Sequence, residues 1–185
     1  MNGIDSSANA LAGWFDNTPR RILAAIAAVC LAIVAAAVIL QQVDHLDPCP
    51  MCIVQRYAMI LIALCAGIAA CFRGRGAVIA GSSLVLLSAG FGGFVAARQS
   101  WLQWYPPEIA SCGRDFYGMI ETFPLRRAIP MIFRGSGDCI KVDWTFLGGS
   151  LANWAFVWFV AVGVVALVLL VRHVRGRPAL TPSNA

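Results

Sequence analysis

Seven cysteines in 185 residues carry the most reactive chemistry in this chain, and their neighbours sort them into two populations. Cys30, Cys65 and Cys71 stand inside apolar runs, where a thiol is by default a small buried hydrophobe and stays inert. Cys49, Cys52, Cys112 and Cys139 stand in polar segments, two in a short one and two in a long one. An even number so distributed reads as two pairs. Cys49-Pro50-Met51-Cys52 is a C-x-x-C directly ahead of an apolar run. It therefore falls at the opening of a helix, where unsatisfied N–H groups and a partial positive charge stabilise a thiolate. Pro50 suits the first helical position because it has no N–H to leave unpaired. The thiolate is the form that attacks a disulfide and departs from one, so redox exchange is favoured over zinc binding or a plain structural bridge.

Arg56 strengthens that preference. It follows Cys52 by four residues and Cys49 by seven, so on a helix it shares their face about one turn into the apolar run. A cation there must pair, snorkel to the interface or bind something. A guanidinium beside the pair would stabilise thiolate and hydrogen-bond the oxygen of an oxidant. The second pair, Cys112 and Cys139, would close a ring that a disulfide stabilises by about 3–4 kcal/mol on the chain-entropy account. Each half lies beside small flexible residues, in Ser111-Cys112-Gly113 and Gly135-Ser136-Gly137-Asp138-Cys139, which keeps the sulfurs open to exchange. Between them Phe116, Met119, Ile120 and Phe123 recur at helical spacing until Pro124, predicting a short amphipathic helix on the membrane surface. His45 and His173 have no partner at metal-ligand spacing.

The elements that must position these residues follow from composition. With 59% of residues hydrophobic and 12% charged, against about a quarter charged in soluble domains, most of the chain faces lipid. Stretches at about 22–40, 53–72, 77–97 and 151–171 approach the roughly 20 residues a helix needs to cross a bilayer. The first could be a cleaved signal peptide, but its length favours a retained span. Arg20 and Arg21, Arg73 and Arg75, and Arg172, Arg175 and Arg177 all fall on one side of four crossings, and positive flanks mark the cytoplasm. Both termini are therefore expected inside, with segments 41–52 and 98–150 outside, in the compartment where disulfides persist. Trp101, Trp104, Tyr105, Trp144 and Trp154 fit the outer interface. The formal net charge of +5 would suit a nucleic-acid partner only if clustered on a wet surface. It is instead a topology signal, with seven Arg against Asp5 and Asp16 on the inner side and Arg56 left embedded. Ser88, Ala89, Gly92 and Gly93 in the third span have the spacing that lets helices approach closely in lipid. The expected fold is an all-α, four-transmembrane-helix bundle, a single integral membrane unit over 1–185, with the tail from about 176 disordered.

This constellation resembles the disulfide bond formation protein B (DsbB) family of bacterial membrane oxidoreductases. The likeness covers about residues 20–172. It is carried by the four spans, the approach from Gln41 to Cys49, Cys-Pro-Met-Cys with Ile53-Val54-Gln55-Arg56, Leu102-Gln103-Trp104-Tyr105-Pro106, and Gly137-Asp138-Cys139 with Trp144 and Phe146-Leu147-Gly148 beyond. The resemblance implies an inner-membrane protein-disulfide oxidoreductase with its cysteines on the periplasmic side. Such a protein reoxidises a DsbA-like thiol oxidase and passes electrons through ubiquinone or menaquinone to the respiratory chain. It implies redox pairs Cys49–Cys52 and Cys112–Cys139, attack by the partner at Cys112, exchange from Cys139 to Cys49, and Cys52 facing the quinone beside Arg56. Where a family member has a histidine near the quinone this chain has Gln99, a quinone-site candidate that can donate a hydrogen bond to a quinone oxygen but cannot carry a proton or a charge, so Arg56 is expected to carry more of that role. Competing readings are a vitamin K epoxide reductase-like quinone reductase, a four-cysteine zinc site, and a scaffold merely stapled by two disulfides.

Overall fold

In a hydrocarbon solvent each backbone polar group must be satisfied within its own segment, which leaves a lone apolar run no choice but a helix. The computed structural model describes residues 19–44, 49–106 and 145–176. Four long helices occupy most of them: α1 Pro19–Asp44, α2 Pro50–Cys71, α3 Arg75–Trp104 and α4 Leu151–Val174. A hairpin of β1 Thr145–Phe146 and β2 Gly149–Ser150 leads into α4. All four helices are long and apolar enough to cross a membrane, as the sequence predicts. Even the 22 residues of α2 extend about 33 Å at a rise of about 1.5 Å each.

Each helix packs on its neighbour in sequence, α1 on α2, α2 on α3 and α3 on α4. The shared core includes Leu23 and Cys30 of α1, Ile62 and Ala66 of α2, Val85 of α3 and Phe159 of α4. Leu31, Leu61, Leu87, Phe94 and Val164 point outward, as residues solvated by lipid do. The small-residue stripe of α3 works as its spacing predicts. The Phe159 ring lies against Gly92 so closely that a Cβ there would overlap it, and Gly81 is approached in the same way by Ala69.

At one end of the bundle, arginines close helix termini whose last carbonyls lack helical partners. Arg20 Nε donates to the Ala70 carbonyl at 2.8 Å. Arg75 Nε and Nη2 donate to the carbonyls of His173 and Val174 at 2.7 and 3.2 Å. The opposite end holds Cys49 and Cys52. There Ser150 caps α4 by accepting the Asn153 N–H at 3.4 Å, and its hydroxyl donates to Gln103 Oε1 at 2.6 Å, tying α3 to the start of α4. Trp101, Trp104, Tyr105 and Trp154 are exposed at this same end.

Some boundaries differ from the hydropathy reading. The helix α3 runs on to Trp104 although the apolar run stops near 97. Arg98, Gln99 and Ser100 interrupt the pattern, yet Gln99, Ser100 and Leu102 are buried, so these polar residues face the protein instead of ending the span. The hairpin was not anticipated; its turn places Leu147 at φ 50° and Gly148 at φ 78°, the positive pair that a two-residue turn between twisted strands requires. Of the three intraspan cysteines, Cys30 is buried, Cys65 half-buried and Cys71 exposed at the last residue of α2. Cys112, Cys139, His45, Trp144, the expected amphipathic helix and the tail lie outside the described residues.

Candidate active site

The local sequence fixes where the first cysteine pair must sit. Cys49 is the N-cap of α2 in an extended conformation, and Pro50 takes the first helical position. The Cys49 sulfur does what a serine or aspartate oxygen does at other caps: it accepts the Cys52 backbone N–H at 3.3 Å, while the Ile53 N–H bonds the Cys49 carbonyl at 3.2 Å. Cys52 is thereby held in the first turn, its Sγ 2.8 Å from that of Cys49. Cys49 is buried and Cys52 half-buried.

The opposing wall comes from α3. Gln99 Nε2 lies 3.2 Å from Cys52 Sγ and 3.4 Å from Cys49 Sγ, so one amide group serves both sulfurs. Gln99 Oε1 accepts from Gln55 Nε2 at 2.7 Å. Gln55 and Gln99 are only 5% and 4% exposed, which keeps water from competing for these bonds. The Gln99 amide NH2 and the Cys52 backbone N–H are neutral donors directed at the sulfurs, and the Cys52 S–H donates to Gln99 Oε1 at the longer distance of 3.7 Å.

Arg56 faces a different helix. Its Nη1 donates to Gln41 Oε1 at 2.6 Å and its Nη2 to the Ala37 carbonyl at 3.4 Å, both on α1; it makes no hydrogen bond to either sulfur. Successive helical residues turn by about 100°, so Gln55 and Arg56 flank Cys52 on opposite sides, one toward α3 and the other toward α1. Arg56 as a whole is half-buried. Of the five N–H donors a guanidinium carries, the described residues accept from two.

Of the residues singled out in the sequence, Cys49, Cys52 and Gln99 converge directly, Arg56 lies on the adjoining flank, and Cys112 and Cys139 lie outside the described residues. Gln55 and Gln41 stand in stretches that carry the family resemblance, but the sequence assigns neither a role. Beyond that resemblance, their signals are a glutamine immediately before Arg56 and another near the end of an apolar span. His173 Nδ1 lies 2.9 Å from the Leu169 carbonyl within its own helix, so it takes no part in the site.

Comparison with known proteins identifies the family. The family model described as "Disulfide bond formation protein DsbB" matches residues 19–169. Proteins named disulfide bond formation protein B are similar over nearly their whole length. That of Polaromonas sp. (strain JS666 / ATCC BAA-500) is 64% identical over 164 residues, 89% of this chain and 98% of the relative. That of Acidovorax sp. (strain JS42) is 66% identical over 165 residues, 89% of this chain and 95% of the relative. A more distant one, from Aromatoleum aromaticum, is 46% identical over 159 residues, 85% of this chain and 96% of the relative.

Proposed function

The chain belongs to the disulfide bond formation protein DsbB family, and on that premise we propose that it is a quinone-dependent dithiol oxidase of the bacterial inner membrane. It reoxidises a periplasmic DsbA-type thiol oxidase and delivers the electron pair to ubiquinone or menaquinone. The observation that carries the reading is the pairing of Cys49 and Cys52 at a helix opening, with an amide donor on both sulfurs and a guanidinium one turn further into the span.

The exchange runs through two disulfides. A thiolate of the reduced partner attacks Cys112 and releases Cys139. Cys139 attacks Cys49, forming a Cys139–Cys49 bond and releasing Cys52 as thiolate. The partner's second thiol then resolves its bond to Cys112, so the partner leaves oxidised. Cys112 reclaims Cys139 and frees Cys49. Cys49 and Cys52 close their disulfide again by giving two electrons and two protons to quinone, which departs as quinol for the respiratory chain. Gln99 and the Cys52 backbone N–H steady the negative charge on sulfur at each release. The donors of Arg56 that no described residue accepts, at the edge of the span, suit a quinone oxygen.

The orientation that puts this end in the periplasm is supported by the arginine-rich opposite end, with Arg20, Arg73, Arg75, Arg172 and Arg175 matching a cytoplasmic face. The decisive experiment is anaerobic mixing of the purified protein with a reduced DsbA-type partner while quinone absorbance is followed. Stoichiometric quinol formation is expected. Quinone left oxidised while partner thiols persist would overturn the proposal.

A further inference from the structure

Gln55 touches neither sulfur, yet it makes the shortest hydrogen bond to the group that does. A glutamine amide has two ends of nearly equal size and opposite chemistry. With its NH2 the nearer end, as here, Gln99 stabilises a thiolate; with its oxygen nearer, it would accept from S–H more strongly and favour the neutral thiol. We infer that Gln55 is a positioning residue that fixes the direction of the Gln99 amide, keeping its NH2 on the two sulfurs before either is released as thiolate. This rests on the redox role proposed for Cys49 and Cys52.

The geometry supports each step. Gln55 Nε2 donates to Gln99 Oε1 at 2.7 Å, and the Gln99 NH2 reaches Cys52 and Cys49 at 3.2 and 3.4 Å. Turning Gln99 over against this donor would set NH2 against NH2, in a place where both side chains are buried and unpaired donors are costly. Turning both amides together would keep their mutual bond but aim a carbonyl oxygen at sulfur, which a thiolate repels. The arrangement seen satisfies both amides and sets the NH2 of Gln99 nearer the sulfurs, at 3.2 and 3.4 Å, than its oxygen, which stands 3.7 Å from Cys52 Sγ. Gln55 lies three residues after Cys52 on α2 and Gln99 on α3, so the lock depends on the two helices keeping their packing and on no loop.

The test reads thiolate directly and needs neither quinone nor partner. The reduced full-length protein in detergent is alkylated with iodoacetamide across a pH series, and the rate is followed on the Cys49–Cys52 peptide by mass spectrometry. Gln55→Leu is expected to slow alkylation at neutral pH by about tenfold, equivalent to a profile displaced upward by about one unit. Gln99→Leu should do at least as much. In the double variant Gln55→Leu should add nothing, because it acts only through Gln99. An unchanged rate in Gln55→Leu, or losses that multiply in the double variant, would overturn the inference. Should Gln55→Leu fail to give monodisperse protein, Gln55→Met removes the same donor from an unbranched side chain and carries the same expectations. Failure of the redox proposal itself would show separately, as absent quinone reduction with the alkylation pattern intact.

Discussion

Arg56 offers the sharpest quantitative test of how the pair is coupled to its oxidant. Arg56→Ala removes a 2.6 Å bond to Gln41, a 3.4 Å bond to the Ala37 carbonyl and the donors that no described residue accepts. A hydrogen bond to a charged group is worth about 1.5–3 kcal/mol, and about 1.4 kcal/mol is tenfold in affinity. If one open donor holds a quinone oxygen, the KM for quinone should rise about 10- to 100-fold. Arg56→Lys keeps the charge but presents it as a point and not a fork, and should lie between Arg56→Ala and the parent. Gln41→Leu leaves the guanidinium in place while removing the anchor that aims it, so its KM should rise by less than that of Arg56→Ala. The assay is steady-state turnover in proteoliposomes with reduced partner saturating and quinone varied, alongside unfolding in SDS. If Arg56 only ties α1 to α2, Arg56→Ala and Gln41→Leu will lose similar stability and neither will change KM. That result would refute the quinone role.

Further outcomes follow from other parts of the molecule. Gly92→Ala places a Cβ in the Phe159 ring and should cost about 1–3 kcal/mol as overpacking, read as an earlier SDS midpoint; Gly90→Ala, whose Cβ meets nothing within 4 Å, should be neutral or slightly stabilising. Cys52→Ser and Cys112→Ser should each abolish periplasmic disulfide formation in cells while Cys30→Ser preserves it; normal formation in either of the first two would leave only a stapling role. Ser150→Ala removes the cap of α4 and the bond to Gln103, and should cost about 0.5–2 kcal/mol, seen as faster hydrogen exchange in the first turn of α4.

Much of this architecture is legible in the sequence because lipid simplifies the problem. Four apolar runs of the right length become four helices, and Cys-Pro-Met-Cys ahead of one of them becomes a cap and a first turn with little alternative. Outside the small-residue stripe of α3, what the sequence does not reveal is how each helix is rotated about its own axis. A helix that is apolar on nearly every side gives no stripe to say which residues face a neighbour. The bond between Gln55 and Gln99, 44 positions apart, therefore could not be read from spacing, nor could the choice of Arg56 to face α1. The same uncertainty explains the end of α3. Arg98, Gln99 and Ser100 break the hydropathy signal as an interface would, and only the packing of Gln99 against α2 distinguishes a polar site inside the protein from the end of a span.

In the proposed cycle, where the pair is attacked, released and oxidised in turn, the division of donors around Cys52 has a chemical consequence. A sulfur held in a direct ion pair would be a stable thiolate and a ready leaving group, but its nucleophilicity falls as its basicity falls. An isolated sulfur in an apolar setting would resist ionisation altogether. The amide of Gln99 and the backbone N–H of Cys52 are neutral donors of intermediate strength, and they lie on the sulfurs themselves. The full positive charge is held to one side, bonded to α1. Such an arrangement keeps the released thiolate both accessible to formation and reactive enough to return its electrons, while the guanidinium remains available for the oxygen that receives them. Moving the charge onto the sulfur, as Gln99→Lys would on α3, should make the pair easier to open but slower to re-form on addition of quinone. Faster re-formation would contradict this account.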